Sequence, residues 1–363
     1  MKMVGGKERA VANLANALTT LYDISILNLE GNEESFYPLK NQVRLFTLNI
    51  LSFLGSGKNI YTAYLFFKGV KALAQFIKRE KPSILIGNDF LINIMLVIAK
   101  YRARSKVKII GWEHISLEEP IISARKQLQR LRDFFYKKLE ALVVITKSDA
   151  DFCDRTGIKA FLISHPKSFT FDGTVDYAHK NILTIARLSY QKGLDLYLQL
   201  IASLKHNMNG WMFTLVAKED DIKMAELEKM IAQYDVGSYI NIQTPHSNVI
   251  DFYKQASIYL LTSRYEGLPL TLIEAQTCGL PCVSFDCKTG PSDIITQNVD
   301  GFIIPPFRIT EMAEKLSMLM QSEELRERMG KDAQKASERY DEAPIIASWY
   351  QLIDHLTIHD ITK

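Results

Sequence analysis

Two carboxylates eight positions apart frame the segment Ser263-Arg264-Tyr265-Glu266-Gly267-Leu268-Pro269-Leu270-Thr271-Leu272-Ile273-Glu274-Ala275. A carboxylate accepts hydrogen bonds from vicinal hydroxyls, so Glu266 and Glu274 suit a ligand with two hydroxyl-bearing rings. Upstream, Arg187 and Lys192 stand five positions apart before Gly193. Two cations so placed on a loop can both reach one diphosphate. His114, in Trp112-Glu113-His114, follows an apolar run. Gly5-Gly6 precedes a helical pattern and offers a phosphate both close approach and free N–H groups. Each feature also fits an ordinary structural role: a helix capped by a loop acid, two solvated cations, a loop histidine, a plain turn.

The elements that must hold these residues follow from the apolar pattern. Ala256-Ser257-Ile258-Tyr259-Leu260-Leu261-Thr262 reads as a buried strand. Gly267 and Pro269 break it, and Leu270 to Cys278 reads as the start of a helix. The free N–H groups and positive dipole end of that helix would point at the loop, a site for an anion such as a diphosphate. Earlier runs predict strands at Asp23 to Leu29, Val43 to Leu48, Ser83 to Gly87, Lys106 to Gly111 and Ala141 to Thr146. Helices are predicted at Ala10 to Leu21, Thr62 to Arg79 and Phe90 to Tyr101. Strand–helix alternation argues an α/β chain with parallel, doubly wound sheets. His114 then lies past a strand's carboxyl end, where such sheets bind ligands. Lys167 to Lys180 is polar and aperiodic and reads as a linker. The division expected is residues 1–166, linker 167–180, a second domain 181–343, and a last helix in 344–363.

Glu266-x7-Glu274, with Gly267-Leu268-Pro269 after the first acid, resembles the E-x7-E motif of retaining glycosyltransferases of the GT-B fold, and more narrowly glycosyltransferase family 4. Arg187-x4-Lys192-Gly193 is similar to that family's R-x4-K-G motif. Gly279-Leu280-Pro281-Cys282-Val283, Gly290-Pro291-Ser292-Asp293-Ile294-Ile295 and Asp300-Gly301-Phe302-Ile303-Ile304 continue the likeness, which covers nearly the whole chain. It is especially like bacterial enzymes that build capsule, O-antigen and lipid-linked oligosaccharides. The resemblance implies two Rossmann-like domains facing a cleft, with the last helix packing back on the first. It implies a UDP-hexose donor, moved with retention to a glycan or lipid-linked acceptor. Arg187 and Lys192 would hold the diphosphate, helped by Gly5, Gly6 and the backbone of Gly267, Leu268, Pro269, Leu270 and Thr271. Glu274 would bind the ribose, Glu266 the donor sugar, and His114 the sugar from the first domain. The backbone near Thr244 would border the base. No metal or cofactor is expected, since no Asp-x-Asp motif of the metal-dependent type is seen and the cations take the metal's place. There are departures. His165-Pro166 stands where the family has Asn-Pro, Ala217-Lys218-Glu219-Asp220 replaces a glycine-bearing turn, and the apolar strand that opens the family's first domain has no counterpart. Two alternatives stay open: a non-catalytic sugar-nucleotide-binding scaffold, which the missing strand and the altered Ala217 and Thr244 positions favour, and an epimerase on the same fold, which no feature specifically favours.

Composition bounds the partners. The 363 residues are 47% hydrophobic and 23% charged, as in ordinary globular proteins. No apolar run approaches ~18 residues, and no charged-then-apolar leader opens the chain. The four cysteines read as buried, reduced thiols. A cytoplasmic protein is expected. The net charge of +3 divides into +10 over residues 1–150 and −7 beyond, so the first half suits an anionic partner. Arg125 to Lys138 is a basic helix with three adjacent aromatics, Phe134, Phe135 and Tyr136. It suits peripheral docking on an anionic membrane surface as well as it suits a plain surface helix. No groove-reading motif accompanies the charge, so nucleic acid is set aside.

Overall fold

The computed structural model describes residues 6–29, 35, 37–48, 60–118, 126–246 and 248–358. The chain divides into two compact units, Met1–Pro166 with Glu342–Lys363, and Lys167–Asp341. Gly5 lies outside the described residues.

The first unit begins with α1 (Gly6–Leu18), β1 (Ser25–Asn28), β2 (Arg44–Thr47) and α2 (Ile60–Glu80). It continues with β3 (Ile84–Gly87), α3 (Phe90–Ala103), β4 (Lys108–Trp112), α4 (Lys126–Tyr136), β5 (Ala141–Val144), α5 (Lys147–Thr156) and β6 (Ala160–Leu162). All strand pairing is parallel, because each strand returns through a crossover. β3-β4-β5-β6 form one sheet, in register Ile84↔Lys108, Ile110↔Ala141 and Leu142↔Ala160. Among the described residues β1 and β2 pair only with each other, in a separate two-stranded sheet. The sequence Ala-Leu-Val-Val of β5 is buried at every position, as a strand covered on both faces must be. Asp89 caps α3 through its carboxylate, which accepts from the Leu91 N–H at 3.4 Å. Lys147-Ser148-Asp149 forms the first turn of α5. Thr146 caps that helix, and the Asp149 carboxylate accepts from Thr146 Oγ1 at 2.7 Å. A side-chain cap at the strand's end starts a helix that periodicity alone does not announce.

The second unit holds β7 (Asn181–Leu188), α6 (Leu194–Leu204), β8 (Met212–Glu219), α7 (Met224–Tyr234), β9 (Ile240–Gln243) and α8 (Ile250–Lys254). Then follow β10 (Ile258–Leu261), α9 (Leu270–Thr277), β11 (Cys282–Phe285), α10 (Pro291–Ile294), β12 (Gly301–Ile304), α11 (Ile309–Gln321) and α12 (Glu323–Ser337). Its sheet runs β12-β11-β10-β7-β8-β9, all parallel. The order reverses between β7 and β10, and in doubly wound sheets the carboxyl ends of the strands at such a reversal are where ligands bind. β7 is longer than its apolar run. Its pairing with β8 continues to Arg187↔Lys218 and Leu188↔Glu219, so Arg187 is a strand residue, not a loop residue.

A final helix, α13 (Glu342–Ile358), belongs to the first unit. Ile345, Ile346, Trp349, Leu352, Ile353 and Leu356 share a core with Ala10, Leu14, Leu18, Ile110, Trp112 and Val143. Trp349 meets Trp112 edge-on at a centroid separation of 5.0 Å. The Tyr350 hydroxyl donates to Ala17 O at 2.9 Å. Trp349→Ala should cost about 3–5 kcal/mol, the usual range for emptying a buried tryptophan site. Tyr22→Phe removes one exposed bond to Asp354 and should cost under about 1 kcal/mol. Urea unfolding midpoints of the two variants check the contrast.

Candidate functional site

In the second unit the site is made by two loops leaving β7 and β10. After β7 the chain makes a tight turn, Tyr190–Lys192, and closes it at Gly193 with φ 62°. A Cβ there would sit 2.2 Å from the Thr262 carbonyl, so only glycine allows the approach. Across the gap Thr262 Oγ1 donates to Lys192 O at 3.2 Å, and Arg264 N donates to Gln191 O at 2.8 Å. The Arg264 guanidinium grips Asp195 with two bonds of 2.8 and 2.6 Å and lies over the Tyr190 ring at 4.2 Å. That bidentate pair holds the Asp195 carboxyl below its ordinary pKa.

The loops so fixed bring Lys192 Nζ to 2.6 Å from Glu266 Oε1, with side-chain exposures of 13% and 7%. Gln191 joins the neighbours. Its amide donates to Tyr265 O at 3.0 Å and to Glu266 Oε2 at 3.4 Å, and its carbonyl accepts from Arg187 Nη2 at 3.1 Å. Arg187, half exposed, also pairs with Asp220. A third loop closes from the far side: Thr289 Oγ1 donates to Glu266 O, and Gly290, at φ 94°, comes so near that a Cβ would lie 2.0 Å from Gly267 O.

The helix α9 starts here. Pro269 is its N-cap residue and supplies no side-chain acceptor, so the first-turn N–H groups of Leu270 and Thr271 have no intrahelical partner. Two cations and a helix N-terminus thus converge on one place, which suits a diphosphate. Glu274 is placed otherwise. It is buried, and its two oxygens accept from Ser168 Oγ at 2.5 Å and Tyr253 OH at 2.8 Å. Burial and the Glu274 charge push the Tyr253 hydroxyl well above 10. Thr244 lies exposed on the loop after β9, two strands from β7. The structure therefore gathers Arg187, Lys192, Glu266 and residues 267–271, and gives Glu274 and Thr244 separate settings. Sequence reasoning missed Gln191, Asp195 and Arg264. Their partners lie about seventy positions away, and no local spacing signals them.

In the first unit His114 lies past the end of β4 and lines a pocket with Lys7, Asn88, Asp89, Glu113, Ser116 and Arg132. His114 Nδ1 is 3.2 Å from His165 Nε2, and His114 Nε2 is 3.5 Å from Asn88 Oδ1. Burial lowers both histidines, His165 to about 4, and the charges of Lys7 and Arg9 push the same way. Both rings are neutral near pH 7. Below His114, Glu113 is buried, its Oε1 accepting from the Tyr136 hydroxyl and, at 3.0 Å, from Asn93 Nδ2. Burial raises its carboxyl to about 7. Tyr136 is therefore a core residue. Of the three aromatics read as a docking face on α4, only Phe134 is exposed, beside Arg130, Lys137 and Lys138. Gly6 opens α1.

All four cysteines are buried free thiols, and Cys153, Cys278 and Cys287 are pushed up to about 12 by burial. Among the described residues no three His, Cys, Asp or Glu side chains form a group fit to hold a metal ion, and no helix is long and apolar enough to cross a membrane.

Comparison with known proteins adds three findings. Residues 172–336 match the family described as glycosyl transferases group 1. Over 96% of its length the chain is 26% identical to the amylovoran biosynthesis glycosyltransferase AmsD of Erwinia amylovora, covering 96% of that protein. It is 27% identical to an alpha-1,4-N-acetyl-D-galactosaminyltransferase of Campylobacter jejuni whose name specifies a diphospho-undecaprenol-linked glycan, covering 96% of this chain and 95% of that one. Among solved structures, the HepE protein of Anabaena in complex with UDP and glucose superposes with a TM-score of 0.76 at 16% identity, covering 98% of this chain and 97% of that one. That likeness shows the fold, and the fold is GT-B.

The buried Glu113 sets a pH test. An unfolded glutamate, near ~4.3, has released its proton by pH 6, while the folded one still holds it. Folding therefore binds protons between about pH 4.5 and 7, and this group's contribution to stability falls as pH rises through that window, by roughly 3 kcal/mol in all. Glu113→Gln keeps the shape and abolishes the titration. Urea unfolding of both proteins at pH 5 and 8 should show the wild type losing stability relative to the variant. Parallel pH dependence would refute the assignment.

Proposed function

We propose that this chain, whose fold is GT-B and whose residues 172–336 match the group 1 glycosyl transferases, moves a hexose from a UDP-hexose to a glycan or lipid-linked oligosaccharide, with retention at the anomeric carbon, in cell-surface polysaccharide synthesis. The observation that carries the donor reading is the Lys192–Glu266 pair set beside Arg187 and the α9 N-terminus. An ammonium has three donors, and Glu266 uses one of those on Lys192. The others remain for a phosphate oxygen. Arg187 and the Leu270 and Thr271 N–H groups add fixed positive potential where the diphosphate gains charge as it leaves, the main electrostatic task of the reaction. On this reading no metal is needed for that task. UDP as the nucleotide moiety is supported by the UDP and glucose bound to HepE, and the acceptor class by the names of the two relatives.

Glu266, held by Lys192, keeps lone pairs for sugar hydroxyls. The two oxygens of Glu274 can take roughly four hydrogen bonds in all, so ribose hydroxyls can join Ser168 and Tyr253 there. His114, neutral, gives a hydrogen bond to a sugar hydroxyl and moves no proton. In the transfer step the anomeric carbon–phosphate oxygen bond breaks with its electron pair going to UDP. The acceptor oxygen bonds to the same face, and its proton passes to the departing phosphate oxygen. A membrane-bound acceptor is supported by the exposed basic and aromatic surface of the first unit: Phe134 with Arg130 on α4 and Lys138 just beyond it, and Tyr64 and Phe67 with Lys68 and Lys71 on α2.

UDP release from a panel of UDP-hexoses tests the reading. Slow hydrolysis of one donor is expected from the wild type, falling by about a hundredfold or more in Lys192→Ala and Glu266→Ala, as when one charge-stabilising group is removed. Failure of UDP itself to bind in a calorimetric titration would sink the UDP assignment. Co-sedimentation with vesicles containing anionic lipid, reduced in Phe67→Ser/Phe134→Ser and abolished at high salt, is expected of the membrane surface. Equal sedimentation with neutral vesicles would rule it out.

A further inference from the structure

His165 is a residue that no local chemistry requires. It follows β6, is 5% exposed, and packs against Trp112 with ring centroids 5.5 Å apart. Its ring lies 9° from parallel to that of His114. The single hydrogen bond between them, His114 Nδ1 to His165 Nε2 at 3.2 Å, holds one proton. Which ring supplies it fixes the tautomers of both, since a neutral imidazole has one donor and one acceptor.

Two contacts decide the direction. His165 Nδ1 is buried and has no hydrogen-bond partner among the described residues. A buried N–H left unpaired is a rarer and costlier defect than a buried lone pair. His165 Nδ1 therefore carries the lone pair, and its proton is on Nε2. At the other end His114 Nε2 faces the Asn88 Oδ1 acceptor, so His114 carries its proton there. The opposite assignment would bury a bare N–H on His165 and set a lone pair of His114 against a carbonyl oxygen.

We infer that His165 is a positioning residue: by donating from Nε2 to His114 Nδ1 it locks His114 in the Nε2–H tautomer, so that His114 offers the pocket a hydrogen-bond donor and never an acceptor. The bond to Asn88, at 3.5 Å, is at the long limit for a hydrogen bond. The His114 proton is thus available to a better acceptor, an uncharged hydroxyl oxygen of a sugar. Burial and the nearby Lys7 and Arg9 keep both rings neutral, which preserves the arrangement near pH 7. This inference rests on the reading of His114 as a sugar contact, but the tautomer can be measured without it.

The experiment has two arms. Long-range nitrogen–proton NMR of the unliganded, histidine-labelled full chain reports each tautomer directly. The wild type should show His114 protonated at Nε2 and deprotonated at Nδ1. His165→Asn, whose side-chain amide can donate in the same place, should keep that tautomer; His165→Leu should yield a mixture. In the kinetic arm, turnover of the accepted donor should fall about tenfold in His165→Leu, the scale of one hydrogen bond to substrate, with KM little changed. His165→Asn should remain within about threefold of the wild type. A wild-type His114 protonated at Nδ1 overturns the inference whatever the enzyme does. The expected tautomers with undiminished turnover in a folded His165→Leu also overturn it. If the wild type turns over no sugar nucleotide, the proposed donor fails, and the NMR arm still decides the tautomer lock.

Discussion

An ion pair almost shut away from water, Lys192 with Glu266, is the interaction on which the second unit's loops depend. Taking two such charges out of water costs several kcal/mol each, recovered only where geometry is good and further hydrogen bonds are supplied. The neighbours meet those terms. Gln191 bonds the second carboxylate oxygen, Thr289 bonds the Glu266 carbonyl, and the Arg264–Asp195 clamp ties the turn of Lys192 to the loop of Glu266. Gly193 and Gly290 are there because the loops touch backbone to backbone. A pair so held does not need to reorganise when a charged ligand arrives, which is the condition for electrostatic stabilisation to be efficient.

Around His114 burial acts on the protonation of three side chains of the first unit. Burial raises the Glu113 carboxyl to about 7 beside Tyr136 and Asn93, and it holds the two histidines uncharged. Low dielectric drives both outcomes: it strengthens a satisfied pair and neutralises an unsatisfied charge.

Of the strands around the site, β10 was legible as a short, fully buried apolar run before turn residues, and β7 by the apolar residues Ile182, Leu183, Ile185 and Ala186 that follow Asn181. The Glu266-x7-Glu274 and Arg187-x4-Lys192 spacings were legible because they are local. What the spacing could not show is that the carboxylates differ: Glu266 meets a lysine, whereas Glu274 turns to Ser168 and Tyr253. Those partners are distant in sequence, and only the fold names them. The helix α5 was hidden because its start depends on a threonine cap, not on periodicity. The aromatic trio of α4 misled because helix geometry sends adjacent residues in different directions: Tyr136 goes to the core and Phe134 to solvent. His165 was visible only as a departure from a familiar pattern. Its meaning came from a neighbour on another strand.

The return of α13 to the first unit has a consequence for how the protein is made. Lys167 N donates to Tyr340 O at 2.7 Å, so the second unit begins and closes at one point, and it is complete before α13 is synthesised. The first unit is not, for Trp349, Leu352 and Leu356 fill its core. Chains grow from the amino end and domains fold as units. Here the unit that leaves the ribosome first is the one that waits, with an apolar face uncovered, until the last helix emerges. A nonsense codon near position 340 would therefore spare the later half of the protein and leave the earlier half to the chaperones.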